Sequence, residues 1–167
     1  RLMEARVVPD IAAAITAAVA ALAATYDHVF TSGGIGPTHD DITADAVAAA
    51  FGAAIDVRED ARALLAAHYA RTGLELNAAR LRMARIPDGA TLIDNPVSAA
   101  PGFRLGNVYV MAGVPAIFEA MLASVLPTLT GGAPLLSQAL RILRGEGEVA
   151  GPLADLAAEF PDLAFGP

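Results

Sequence analysis

One stretch constrains this chain more than any other: Thr31-Ser32-Gly33-Gly34-Ile35-Gly36-Pro37-Thr38-His39-Asp40-Asp41-Ile42-Thr43. It follows a short apolar run, His28–Ser32, and leads into an alanine-rich helical pattern, Ala44–Phe51. Paired glycines stop a strand and turn the backbone through conformations that a Cβ disfavours. Strand, glycine turn and helix in that order form the unit of an α/β fold, whose ligands gather beyond the carboxyl ends of the strands.

The rest of the chain repeats the alternation. Leu2–Val8 reads as a strand closed by Pro9, and Asp10 as the N-cap of a helix reaching Thr25. Ile11, Ile15, Val19 and Leu22 give that helix its apolar stripe. Thr43 is expected to cap the Ala44–Phe51 helix, with Gly52 at its C′ position. Helices follow over Arg58–Thr72, stopped by Gly73, and over Glu75–Arg85, stopped by Pro87-Asp88-Gly89. Strands at Thr91–Ile93 and Val108–Ala112 precede a helix at Ala116–Leu126, which Pro127 ends. Thr130-Gly131-Gly132-Ala133-Pro134 is linker-like; beyond it the pattern predicts a strand (Leu135–Leu143), a helix (Val149–Phe160) and a nascent strand (Leu163–Phe165). Short strands, apolar on both faces, predict a three-layer α/β/α architecture around a mostly parallel sheet. The chain begins without methionine and ends as a strand begins, so it reads as clipped at both ends from a longer protein.

Composition removes several function classes. There is no cysteine, which excludes disulfides, thiolate zinc sites and a cysteine nucleophile. His28, His39 and His68 are not spaced as a helical metal pair. Every basic residue is arginine, so a Walker-type phosphate loop and Schiff-base chemistry are excluded. A net charge of −7 and a pI near 4.8 do not suit a nucleic-acid partner. Alanine carries much of the mean hydropathy of +0.51, and the apolar run Ile11–Ala24 falls short of the ~20 residues of a membrane span. With no signal segment either, a cytoplasmic domain without membrane association is expected.

Two loops lie where α/β folds place ligands. In the first, Gly33, Gly34 and Gly36 allow close approach of a phosphate, and Ser32, Thr38 and Thr43 offer hydroxyls. Asp40 and Asp41 would repel a bare phosphate, which suggests a bridging divalent cation such as Mg²⁺. An equal alternative is that the glycines make the turn while Asp40, Asp41 and Thr43 cap the helix. The second loop is Asn95-Pro96-Val97-Ser98-Ala99-Ala100-Pro101-Gly102-Phe103, followed after a strand by Gly113-Val114-Pro115 at a helix start. Taken alone, a tight strand-to-helix turn explains the latter better than a ligand site does. The dinucleotide fingerprint GxGxxG is not matched, because His39 stands where its third glycine belongs. His39 reads as a solvated loop residue, and Glu119 as either pocket-facing or solvated. Arg80, Arg82 and Arg85, on nearby turns, read as a solvated helix face, with contact to an anionic tail of a ligand as the alternative.

The run Gly33-Gly34-Ile35-Gly36-Pro37-Thr38-His39-Asp40-Asp41-Ile42-Thr43 closely resembles the GGxGPTxDDxT signature of CinA-type molybdopterin-binding-like domains, part of the MoaB/MogA superfamily. The resemblance extends through Asn77–Pro87, Asn95…Pro101-Gly102-Phe103 and Gly113-Val114-Pro115…Glu119…Met121, and covers roughly Leu2 to Leu126. It implies a MoaB/MogA-like domain over 1–130 and the start of a C-terminal tail subdomain over 131–167. It also implies one pocket for molybdopterin or a nucleotide phosphate. Gly33, Gly34 and Gly36 would approach the phosphate, Asp41 would hold a Mg²⁺-type ion, and Asn95, Gly113 and Pro115 would form the opposite wall. The family's opening Gly-Asp-Glu strand and its carboxyl-terminal deamidase domain are not in this chain.

Three functions follow from that resemblance. The first is a module binding a phosphorylated pterin. The second is a metal-dependent pyrophosphatase acting on ADP-ribose-like or flavin dinucleotides, with Asp40 and Asp41 as catalytic residues. The third is a structural or oligomerisation domain with a vestigial site. Relatives of this kind commonly assemble, so a homo-oligomer is expected.

Overall fold

The structure is a computed structural model and describes residues 2–130, 132 and 136–166. Two compact units divide the chain, Arg1–Thr130 and Gly131–Pro167.

In the first unit, Leu2–Val8 forms no strand: it has no ladder partner, and every residue in it is exposed. Strand structure comes from pairing more than from local propensity, and here Glu4 bonds Arg6 and the Tyr26 hydroxyl instead. Helix α1 (Ala12–Thr25) starts after Ile11, not Asp10, because the Ile11 N–H bonds the Pro9 carbonyl at 2.7 Å and that turn leaves Asp10 outside. It buries Ile15, Ala18 and Val19. Strand β1 (Val29–Ser32) leads through the glycine loop to α2 (Thr43–Phe51), which Gly52 closes in a left-handed conformation at φ 64°. Strand β2 (Ile55–Val57), unforeseen in the sequence, precedes α3 (Glu59–Thr72).

The helix expected over Glu75–Arg85 is much shorter. The Asn77 side chain accepts from the Arg80 N–H at 3.0 Å and starts α4 (Ala78–Leu81) there. A 3₁₀ turn, Arg82–Ala84, then delivers β3 (Arg85–Pro87), whose ladder with β2 pairs Arg85 with Val57. Strands β4 (Thr91–Ile93), β5 (Gly102–Leu105) and β6 (Val108–Met111) follow, then α5 (Pro115–Val125) and a 3₁₀ turn containing Pro127.

The main sheet runs β1-β6-β5-β4. Its β1–β6 pairing is parallel, with Val29 beside Val108 and Ser32 beside Met111. The other two pairings are antiparallel: β4 with β5, and β5 with β6, onto which the two-residue turn Gly106-Asn107 folds it directly. The mixed α/β class expected from the sequence is therefore present, with a mixed sheet. All four β6 residues are buried, on alternate faces. Val108 and Val110 join Ile15, Val19, Val47 and Leu65 under α1, α2 and α3. Tyr109 and Met111 join Met121 and Val125 under α5. Helices thus cover both faces, which gives the three layers.

In the second unit the described residues form one helix, α6 (Glu146–Glu159), with Pro152 inside it. Leu135 and the linker positions Gly131, Ala133 and Pro134 lie outside the described residues. The strand expected from Leu135 to Leu143 is not found over 136–143, nor one at Leu163–Phe165; both stretches are exposed and unpaired. Among the described residues no helix is long and apolar enough to cross a membrane.

Candidate functional site

The parallel register brings the ends of β1 and β6 level, so the two loops leave the sheet side by side. The Gly33 N–H donates to the Met111 carbonyl at 3.0 Å and extends that ladder by one step. Gly33 then turns at φ 101°. A Cβ placed on Gly113 would stand 3.0 Å from the Gly33 Cα, so the two backbones lie close together, and the positive φ of Gly33 favours glycine there. Ser32, Gly113 and Pro115 are exposed around this junction.

Gly34 has a different task. It sits at φ 71°, its carbonyl accepts from the Thr43 N–H at 2.9 Å, and a Cβ there would collide with the Thr43 hydroxyl. The space that its missing side chain leaves is filled by Thr43. Thr43 itself is buried as the first residue of α2, so it is not the cap; Ile42 holds that position without a side-chain bond.

Asp41 folds the loop back on itself. Its Oδ2 accepts from the Thr38 N–H at 2.9 Å and the Thr38 hydroxyl at 2.6 Å. A Cβ on Gly36 would lie 2.6 Å from that oxygen, so Gly36 makes room for the carboxylate. Burial pushes the Asp41 carboxyl up, but bonds from the Thr38 hydroxyl and from the Gly36 and Thr38 amides outweigh it and hold it below its ordinary value. Asp40, at the surface, is also lowered, first by the Thr38 hydroxyl and then by its own amide. Both carboxylates are therefore ionised. These partners of Asp41 precede α2, so its carboxylate closes the loop instead of capping the helix.

Gly36 and Asp41 open onto a crevice of about 20 Å³, room for roughly one water. Ile35, Ala44, Pro101 and Phe103 form its apolar lining, and Asp45, Arg82 and Arg85 its charged lining. Arg85 makes a two-pronged bond to Asp45, at 2.7 and 2.6 Å. The Arg82 Nε is buried and has no hydrogen-bond partner among the described residues. Arg82 and Arg85 thus line a crevice instead of a solvated helix face. Their spacing was visible in the sequence. The 3₁₀ turn and strand that aim them at the crevice were not.

Asn95 belongs elsewhere. It is buried, and its amide donates to the Ser98 hydroxyl at 2.7 Å and the Ala100 carbonyl at 2.8 Å. Its oxygen accepts from the Val97 and Ser98 amides, each at 3.1 Å. All of its donor and acceptor capacity serves its own loop, which corrects its expected place on a ligand-facing wall. Through that loop it positions Pro101, which does line the crevice. His39 and Glu119 are exposed.

A carboxylate offers about four acceptor directions, and Thr38 takes two of those on Asp41 with its amide and its hydroxyl. Among the described residues no three His, Cys, Asp or Glu converge to hold a metal.

The family described as "Probable molybdopterin binding domain" matches residues 1–131. A CinA-like protein of Citrifermentans bemidjiense is 43% identical over 129 residues, covering 74% of this chain and 31% of that protein. A CinA-like protein of Myxococcus xanthus is 37% identical over 159 residues, covering 86% of this chain and 37% of that protein. The chain thus spans well under half the length of these relatives. The crystal structure of CinA from Thermoplasma acidophilum, titled as of unknown function, superposes with a TM-score of 0.64 at 35% identity, over 71% of this chain and 72% of that one. Signature loop, three-layer fold and these matches agree: the chain belongs to the probable molybdopterin binding domain family, in its CinA-like branch.

Proposed function

We propose that this domain binds a small phosphorylated molecule, a pterin of the molybdopterin class or a nucleotide, at the loop from Ser32 to Asp41. The observation that carries the reading is the contact of Gly33 with Gly113, which joins two strand ends into one solvent-open edge, continued along the same loop by the Gly36–Asp41 crevice. The family's description points to the same ligand class. Thr38 orients Asp41, and Gly36 leaves the carboxylate its space. An ion of the Mg²⁺ kind held at Asp41, with Asp40 beside it, would neutralise phosphate charge when bound.

A second reading rests on the ionised pair Asp40 and Asp41: a metal-dependent pyrophosphatase on ADP-ribose-like or flavin dinucleotides. One experiment addresses both. ADP-ribose and a phosphorylated pterin are titrated calorimetrically with Mg²⁺ and with chelator, and the mixtures are then chromatographed. The proposal expects Mg²⁺-enhanced binding; products formed only with metal favour the pyrophosphatase. Equal affinity with metal and chelator removes the cation, and no binding of either compound removes the ligand reading.

A further inference from the structure

Resting on that reading of the site, we propose that Arg82 is the residue of this chain that meets the ligand's negative charge. Arginines nearby are already engaged. Arg85 gives both terminal nitrogens to Asp45. Arg80 bonds the Glu75 carbonyl and lies over the Tyr69 ring, and Arg58 bonds Asp60 and the Ala90 carbonyl. Arg82 differs: its Nε is buried with no partner among the described residues, while its side chain lines the crevice that Gly36 and Asp41 share. A buried donor without an acceptor is costly, and the cost falls on folding unless something from outside the chain accepts the bond.

The chemistry of that acceptor follows from its surroundings. A guanidinium offers a planar fork that matches two oxygens of one phosphate group. Asp45 is already neutralised by Arg85, so it adds little repulsion at the crevice, and the chain has no lysine to compete for the role. Asp41, its carboxyl held below its ordinary value, lines the same crevice next to Gly36. The crevice therefore presents one fixed cation and one fixed anion. The crevice admits about one oxygen-sized group, so a phosphate oxygen enters toward Arg82 while the rest of the group stays at the solvent-facing mouth, and the side near Asp41 admits it only with its charge offset. The turn that carries Arg82 is well anchored: Ala84 is fully buried, and its carbonyl accepts from the Arg58 N–H at 2.9 Å. A phosphate or diphosphate group is selected over an uncharged pterin or nucleoside.

The test uses the full chain with ADP-ribose and inorganic diphosphate as probes, titrated at several salt concentrations. Arg82→Gln is expected to weaken both roughly tenfold or more, and to flatten the fall of affinity with salt. Arg82→Lys keeps the charge but loses the fork, so it should also bind more weakly while keeping the salt slope. Arg80→Gln, outside the crevice, should match the wild type. Wild-type affinity and salt slope in Arg82→Gln would overturn the inference while leaving the site reading intact. If Arg82→Gln does not fold, Arg82→Lys decides, and wild-type affinity there overturns it. No binding of either probe by the wild-type chain would overturn this inference, and the site reading falls with it only if the phosphorylated pterin also fails to bind.

Discussion

Gly34 and Asp41 show how much of the signature loop serves its own folding. Gly34 combines a positive φ with the Thr43 side chain standing where its Cβ would be. Gly34→Ala should lower stability by roughly 1–3 kcal/mol, from backbone strain and displacement of Thr43, which a melting curve reads directly. An unchanged melting temperature would reopen Gly34 as a position kept bare for a ligand. Asp41 makes the pH prediction. Its folded carboxyl lies below its ordinary value, so it adds stability above the unfolded pKa of about 3.9, and that stability is lost as pH falls through the folded value. Asp41→Asn should therefore lose less stability than the wild type on acidification below about pH 4. Urea melts across that range give the comparison, and parallel slopes would refute the bonding described. The glycines and aspartates were legible in the sequence as one motif. Which of them face the crevice was not, because Asn95 and Gly34 look like ligand residues until their partners are seen.

Among the elements, those anchored by apolar periodicity and glycine stops were legible: α1, β1, α2, α3, β4, β6 and α5 all lie within a few residues of expectation. The failures share a cause. β2 and β3 are three-residue strands that exist only through each other, and Leu2–Val8 has strand composition but no partner. Pairing is a tertiary event that local pattern does not encode. β5 was missed as well, its first two residues being read as the end of the Asn95–Phe103 loop, although Gly106-Asn107 is a hairpin dipeptide and Gly106 adopts φ 59° at the first turn position. Breaking the expected Glu75–Arg85 helix is what carries Arg85 to Asp45. Their side chains remain 28% and 38% exposed, so water screens the pair. A double-mutant cycle with Arg85→Ala and Asp45→Ala should give a coupling of about 1 kcal/mol or less. A coupling several times larger would mean that the pair holds β3 against α2 more than the crevice packing does.

The whole molecule turns on β6, whose alternate residues feed two cores and so fix α1, α2 and α3 on one face and α5 on the other. Removing the buried Met121 side chain from the α5 side, as Met121→Ala, should cost roughly 2–5 kcal/mol and lower the melting temperature accordingly. A small effect would mean that the α5 layer is dispensable to the sheet. The three-layer architecture was legible because short strands apolar on both faces need covering twice. The mixed direction of the sheet was not, because β5, which pairs antiparallel with both β4 and β6, was read as loop. The same arrangement sets the ends of β1 and β6 level and turns two loops into one edge. A residue-resolved NMR titration of the full chain, with ADP-ribose and then a phosphorylated pterin in Mg²⁺, tests that edge as a binding site most directly. The account predicts saturable shifts of the Gly33, Gly36, Thr38 and Gly113 amides with at least one of the two. Saturable shifts confined to other residues, or none with either compound, would contradict it.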